Sequence, residues 1–173
     1  GKDFQEEFYS SLSAKASTLQ VKTILLWDIV FPTSTSTHHF VDALCSMPNL
    51  TQLVLHELRL RGKDFQEEFF STLNAKAPTL QVKTIELWEV IFPTSTSTHH
   101  FVDALCSMPN LTQLVLHGKD FQEEFYSSLN AKASTLQVKT VELGDVRCPT
   151  SASSHHLVEA LCSMPNLTEL RLR

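Results

Sequence analysis

Glycine is scarce in this chain of 173 residues: there are four, and Gly1, Gly62 and Gly118 each open the same Gly-Lys-Asp-Phe. With only seven prolines as well, collagen-like and Gly/Pro-rich low-complexity chains are excluded. Long apolar runs are missing. Uncharged stretches such as Ile29 to Val41 are short and filled with Pro, Ser, Thr and His, so no segment reads as a membrane span. Basic residues are in the minority, 14 Lys and Arg against 19 Asp and Glu, for a net charge of −5. The pI of about 5.9 argues against nucleic acid, which wants a clustered basic face. No signal-peptide pattern and no initiator Met begin the chain, so it is expected to be cut or processed from something longer. No P-loop, dinucleotide fingerprint, nucleophile elbow or HExxH is found, and nothing points to an enzyme or a cofactor. What is there, 42% hydrophobic and 19% charged residues, is a globular composition rather than a disordered one.

The repeat dominates everything else. Blocks 1–61, 62–117 and 118–173 are nearly copies: the first two differ at 8 of 56 aligned positions, the last two at 15. Each block splits into two units with apolar residues spaced L-x-x-L-x-L. One unit carries Val21, Ile24, Leu26; Val82, Ile85, Leu87; Val138, Val141, Leu143. The other carries Leu50, Leu53, Leu55; Leu111, Leu114, Leu116; Leu167, Leu170, Leu172. Successive units start 29, 32, 29, 27 and 29 residues apart, the length of one short strand plus one helix.

Helix signals fill the gaps. Asp3 and Glu6 form a capping-box pattern, Glu6 and Glu7 suit the positive end of the helix dipole, and Lys15 suits the negative end. Phe4, Phe8 and Leu12 predict one buried stripe. The alternate helix is expected from about Thr37, burying Phe40, Leu44 and Met47 and stopping at Pro48. A strand joined through a helix to the next strand gives a parallel ladder. The expectation is therefore an α/β fold, one solenoid domain over 1–173, with about six parallel strands on a concave face and helices on the convex face.

Cys45, Cys106 and Cys162 occupy one place in each block, and Cys148 is extra. Equivalent cysteines in a stacked array cannot pair within one copy, and there is no CxxC, so reduced thiols and a cytoplasmic location are expected. Asn49, Asn110 and Asn166 each begin an Asn-Leu-Thr sequon. They either turn the chain into the next strand or, in a secreted protein, carry sugar.

The alternation of 27–29-residue units, with x-x-A-L-C-x-x-P-N-L-T-x-L-x-L leading into each strand (Asp103 to Leu116), resembles the ribonuclease-inhibitor type of leucine-rich repeat. Such repeats form the sensor arrays of NOD-like innate immune receptors. The resemblance covers the whole chain and implies a horseshoe arc that binds a protein ligand through its concave strand face. Two departures stand out. The Asn usual after the strand is replaced by Ile29, Leu58, Val90, Lys119 and Val146, and no nucleotide-binding domain is present.

On that face the outward positions are Leu25, Val54, Glu86, Val115, Glu142 and Arg171, followed beyond each strand leucine by Trp27, His56, Trp88, His117, Gly144 and Arg173. Exposed Trp beside apolar neighbours is the composition of a binding hot spot. Alternatively, Trp27 and Trp88 fold over the rim and seal the core. The severe differences between blocks favour the face: Leu25/Glu86/Glu142, Trp88/Gly144, Val115/Arg171 and His117/Arg173 fall on it, and Ile91-Phe92/Arg147-Cys148 does not.

The pairs His38-His39, His99-His100 and His155-His156 each precede an acid, and His38 shares a helix face with Asp42. Equivalent pairs lie roughly 10 Å apart at about 4.8 Å per strand, too far to share one ion, so no metal site is expected. At the first junction five extra residues, Glu57 to Arg61, precede Gly62, and alternating Leu58 and Leu60 predict a local bulge. A terminal strand at Leu167–Leu172 without a cap predicts self-association, most simply as a two-fold homodimer. Six strands offer only roughly 500 Å² in projection, against about 800 Å² per partner in a standard interface, which favours a longer array or a dimer. Two functions follow: a non-enzymatic recognition module of an innate immune receptor or leucine-rich-repeat-only protein, or a structural, self-associating array with no free face.

Overall fold

The computed structural model describes residues 2–27, 29, 31–57, 63–119 and 121–173, with the helical backbone alone for 2–4 and 63–66. Helices α1 (Lys2–Lys15), α2 (Ser34–Ser46), α3 (Lys63–Lys76), α4 (Ser95–Ser107), α5 (Glu123–Lys132) and α6 (Ser151–Ser163) alternate with six strands. The strands are β1 (Thr23–Trp27), β2 (Gln52–His56), β3 (Thr84–Trp88), β4 (Gln113–His117), β5 (Thr140–Gly144) and β6 (Glu169–Leu172). They form one sheet in chain order, every neighbouring pair parallel. Parallel neighbours need a crossover, and a helix supplies each one.

The register never slips. Ile24, Leu53, Ile85, Leu114, Val141 and Leu170 make one row, and Leu26 through Leu172 make another. Both rows point to one face, because side chains two apart in a strand share a side. There they join Tyr9, Phe40, Phe69, Phe101, Phe125 and Leu157, one from each helix, in a single core. The opposite face is therefore left without a helical layer among the described residues. The first apolar residue of each motif lies ahead of its strand: Leu50, Val82, Leu111 and Val138 are buried there. At that point two successive amides, such as Lys83 and Thr84, donate to one carbonyl, Thr51, at 2.8 and 3.0 Å.

The helices differ from expectation at their starts. α2, α4 and α6 begin three residues early, because Thr33, Thr94 and Thr150 accept the amides of Ser36, Ser97 and Ser153 at 3.0–3.1 Å. These hydroxyls satisfy orphan helix donors. Phe40, Leu44 and Met47 are buried as expected, with Met47 at the cap just before Pro48. The capping box fares differently. The side chains of Asp3 and Phe4 lie outside the described residues, and α5 starts only at Glu123, with Gln122 making no side-chain cap bond.

The apolar stripe holds inside the stack and fails at its first helix. Phe69 stacks on Phe31 and Phe125 on Phe92, each at 5.6 Å between ring centres, and both are fully buried. Phe8, their equivalent in α1, stacks on no such ring among the described residues and is 54% exposed. The expected bulge at Leu58 and Leu60 falls outside the described residues. Glu57, Glu89 and Asp145 turn out of their strands with φ of 45 to 51°, in the left-handed region, and their amides carry the ladder one residue further.

Candidate binding face

The face without helices carries three rows. The first, Thr23, Gln52, Thr84, Gln113, Thr140 and Glu169, is polar, with Thr23 Oγ1 donating to Gln52 Oε1 at 3.0 Å. The second is Leu25, Val54, Glu86, Val115, Glu142 and Arg171; the third continues from Trp27 through His56, Trp88 and His117 to Gly144.

Constant register turns the third row into an aromatic stripe over four strands. Trp27 meets His56 edge-on at 5.6 Å, His56 lies over Trp88 at 5.9 Å, and Trp88 stacks flat on His117 at 3.9 Å and 7°. Both indole N–H groups are held by acids: Trp27 donates to Glu57 Oε2 at 3.3 Å and Trp88 to Glu86 Oε2 at 3.2 Å. Gln52 Nε2 also donates to Glu86, which ties the rows together. Neither tryptophan folds into the core. Trp27 is 63% exposed and Leu25 beside it 57%.

Gly144 ends the stripe. The His117 ring occupies the space where a Cβ on Gly144 would stand, with ring atoms only 2.0 Å from that position. That placement brings His117 Nε2 within 3.7 Å of Glu142. Glu142 is buried, and Arg173 at 3.1 Å and Arg171 at 3.7 Å supply the opposite charge that a buried carboxylate requires. Arg171 also forks onto Glu169 at 2.9 and 3.2 Å, and this hydrogen bonding is the main cause that holds the exposed Glu169 carboxyl below its ordinary pKa. The face therefore runs from apolar at β1, through acidic at β3, to cationic at β6.

Three expected outward residues are not available. Val54 and Val115 are buried, closed over by the longer Leu25, Glu86 and Glu142 on neighbouring strands, so the apolar patch shrinks to Leu25 and Trp27. Glu142 is occupied by its arginines. His56, Glu86, Trp88 and His117 are half-buried, and Arg171 is exposed. Glu57 was not among the expected residues, yet it holds Trp27 and lines a notch of about 190 Å³ with His56, Trp88, Glu89, His117, Lys119 and Asp145. Its signal was in the sequence: an acid directly follows Trp27, His56, Trp88 and Gly144.

The chain matches no protein-family model and no curated protein sequence.

Elsewhere, the histidine pairs join helices. Asp42 pairs with Lys76 at 3.1 Å rather than with His38, whose Nε2 lies 3.0 Å from Glu68. His99 and Glu124, and Asp103 and Lys132, repeat the arrangement at 3.3 and 3.0 Å. Among the described residues no cluster of three His, Cys, Asp or Glu side chains is placed to hold a metal. No described helix is long and apolar enough to cross a membrane. The sequon asparagines bond sideways, Asn110 Nδ2 to Gln81 at 2.9 Å and Asn166 Nδ2 to Gln137 at 2.7 Å, with Asn49 and Gln20 paired likewise. Burial raises the pKa of the Cys45 and Cys106 thiols.

Proposed function

We propose that the chain is a leucine-rich-repeat solenoid of the ribonuclease-inhibitor type, acting as a non-enzymatic recognition module in the manner of NOD-like innate immune receptors. Its partner is a protein, bound on the strand face, in the cytoplasm, without cofactor, membrane or nucleic acid. The observation that carries this reading is the stripe Trp27–His56–Trp88–His117, with Trp27 and Leu25 open to solvent on a face that no described helix covers. Large aromatic side chains already fixed by hydrogen bonds lose little freedom on binding, which suits them as anchors. The unlike ends of the face, apolar at β1 and cationic at β6, favour a partner segment with an apolar side chain at one end and acids at the other.

The test compares proteins captured from the source cytosol by the wild-type chain and by the Trp27→Ala/Trp88→Ala variant. A partner held by the first and lost by the second, with unchanged far-UV circular dichroism, supports the reading. Equal capture by both defeats it in favour of the structural array.

A further inference from the structure

Charge is sorted between the two edges of the sheet. All neighbouring strands are parallel, so the segments entering them lie along one edge and the segments leaving them along the other. The leaving edge carries Glu57, Glu89 and Asp145. The entering segments, 16–22, 47–51, 77–83, 108–112, 133–139 and 164–168, contain no Asp or Glu. Three of them end in lysine: Lys22, Lys83 and Lys139 stand immediately before β1, β3 and β5. All three are exposed, and none forms an ion pair among the described residues, unlike Lys76 and Lys132 on the helices. Lys83 and Lys139 each have a described strand on either side, so their exposure belongs to the edge and not to an end of the stack. We propose that this lysine row binds an extended acidic polypeptide segment, laid along the edge and across the strands.

The backbone fixes the spacing of the row. The Lys22 carbonyl accepts the amides of Thr51 and Gln52 at 2.9 and 3.0 Å, and the Thr51 carbonyl those of Lys83 and Thr84 at 2.8 and 3.0 Å. The same double acceptance runs on from Lys83 to Thr112 and from Thr112 to Lys139. Each link advances one strand, so successive lysines lie about 9.6 Å apart at about 4.8 Å per strand. An extended chain rises about 3.3 Å per residue, so carboxylates three residues apart recur every 9.9 Å or so, at about the same interval. Seven residues with acids at the first, fourth and seventh places span about 20 Å, against about 19 Å from Lys22 to Lys139. Lys22 and Lys83 line a trough of about 550 Å³ together with Asn49, Thr51, Gln81 and Asn110. Gln81 Oε1 receives the Asn110 amide at 2.9 Å. Its own Nε2 hydrogens have no partner among the described residues and can donate to carbonyls of the segment.

The width of the row selects the partner. It is one lysine wide, with Thr51 and Thr112 between the lysines, whereas an anionic bilayer is held by clusters of about four to eight basic residues. At physiological salt the field of a charge fades over about 8 Å. A single segment on the edge is therefore governed by the three lysines, while a bilayer or a nucleic acid also meets the rest of a molecule with net charge −5. The inference does not rest on the recognition role of the aromatic stripe, since Trp27 and Trp88 end their strands and the lysines precede them.

The probe is an end-capped peptide, Asp-Gly-Ser-Asp-Gly-Ser-Asp, with controls that group its three Asp together or replace them by Asn. Added to the full chain at low salt, it should move the amide resonances of Lys22, Lys83, Lys139 and the threonines between them. The grouped peptide should bind more weakly and the Asn peptide not at all. Each single Lys→Gln change should weaken binding about two- to fivefold, the range of exposed ion pairs, and the triple Lys22→Gln/Lys83→Gln/Lys139→Gln variant should lose it. The three side chains are exposed and unpaired, so circular dichroism should stay unchanged. Lys83→Glu should be rescued by a peptide with Lys in its fourth place. Trp27→Ala/Trp88→Ala should bind the peptide as the wild type does, and loss of binding there would move the site to the stripe and overturn the proposal. Resonance shifts confined to other surfaces, equal binding of the spaced and grouped peptides, or binding retained by the triple variant also overturns it. So does flotation of the chain with phosphatidylserine vesicles that the triple variant abolishes, which would assign the row to a bilayer.

Discussion

Phe125→Ala and Phe8→Ala remove the same side chain from the same Gln-Glu-Glu-Phe-Tyr-Ser-Ser-Leu context, so local propensity cannot separate them. Tertiary surroundings do. The Phe125 ring is fully buried and packed against Phe92, Phe121 and Tyr126 at centroid distances of 5.6, 5.1 and 5.7 Å. Truncating such a residue costs about 3–5 kcal/mol, transfer plus cavity. Phe8 touches Tyr9 at 5.4 Å but is 54% exposed. Its loss forfeits about half of a burial worth roughly 1.5–3 kcal/mol, near 1 kcal/mol, and leaves no enclosed cavity. At about 2–4 °C per kcal/mol for a chain of this size, Phe125→Ala should melt roughly 6–20 °C below wild type and Phe8→Ala only a few degrees below. Far-UV circular dichroism melts read the difference. Equal shifts for the two variants would refute the claim that stacking on the preceding unit gives this position its energy.

Three further outcomes are expected. Thr94→Ala should cost about 1 kcal/mol in urea unfolding, because it strands the Ser97 amide that the hydroxyl now receives; no change would mean the cap contributes nothing. Gly144→Ala should evict His117 from its stack on Trp88, losing about 0.5–1.5 kcal/mol of aromatic contact against about 0.5–1 kcal/mol regained by removing a strand glycine. Stability should then barely move while Trp88 emission, read in a Trp27→Phe background, shifts to the red; an unshifted spectrum would count against the stack. Exposed Cys162 should react with a thiol reagent before Cys45 and Cys106, which are half-buried and whose raised pKa values keep them protonated at neutral pH. Since a raised pKa moves thiolate formation to higher pH, the reactions of Cys45 and Cys106 should keep accelerating well above neutral pH, and their reacting before Cys162 would contradict the burial.

The elements were legible because each one is written locally. The L-x-x-L-x-L spacing names the two inward rows, and the pattern recurs six times. Helix starts were less legible: Thr33, Thr94 and Thr150 are single hydroxyls inside Ser/Thr-rich runs, and only the backbone reveals which of them caps. The face was half legible. Trp27 and Leu25 are exposed as their positions imply, yet Val54 and Val115 occupy the same rows and are buried, since exposure on a sheet depends on the length of side chains across the strand pair. Those neighbours lie about 30 residues away in the chain, beyond any local pattern.

The sequence by itself determined the six units, their parallel order and the alternation that sends leucines to one side and Trp and His to the other, because strand and helix periods are properties of a short segment. Tertiary structure alone decided which of three nearly identical phenylalanines is covered, that His117 lies in the space Gly144 leaves, and that Glu142 is enclosed by Arg171 and Arg173. Nearly identical blocks acquire different environments from their neighbours in the stack, and a neighbour is a long-range fact.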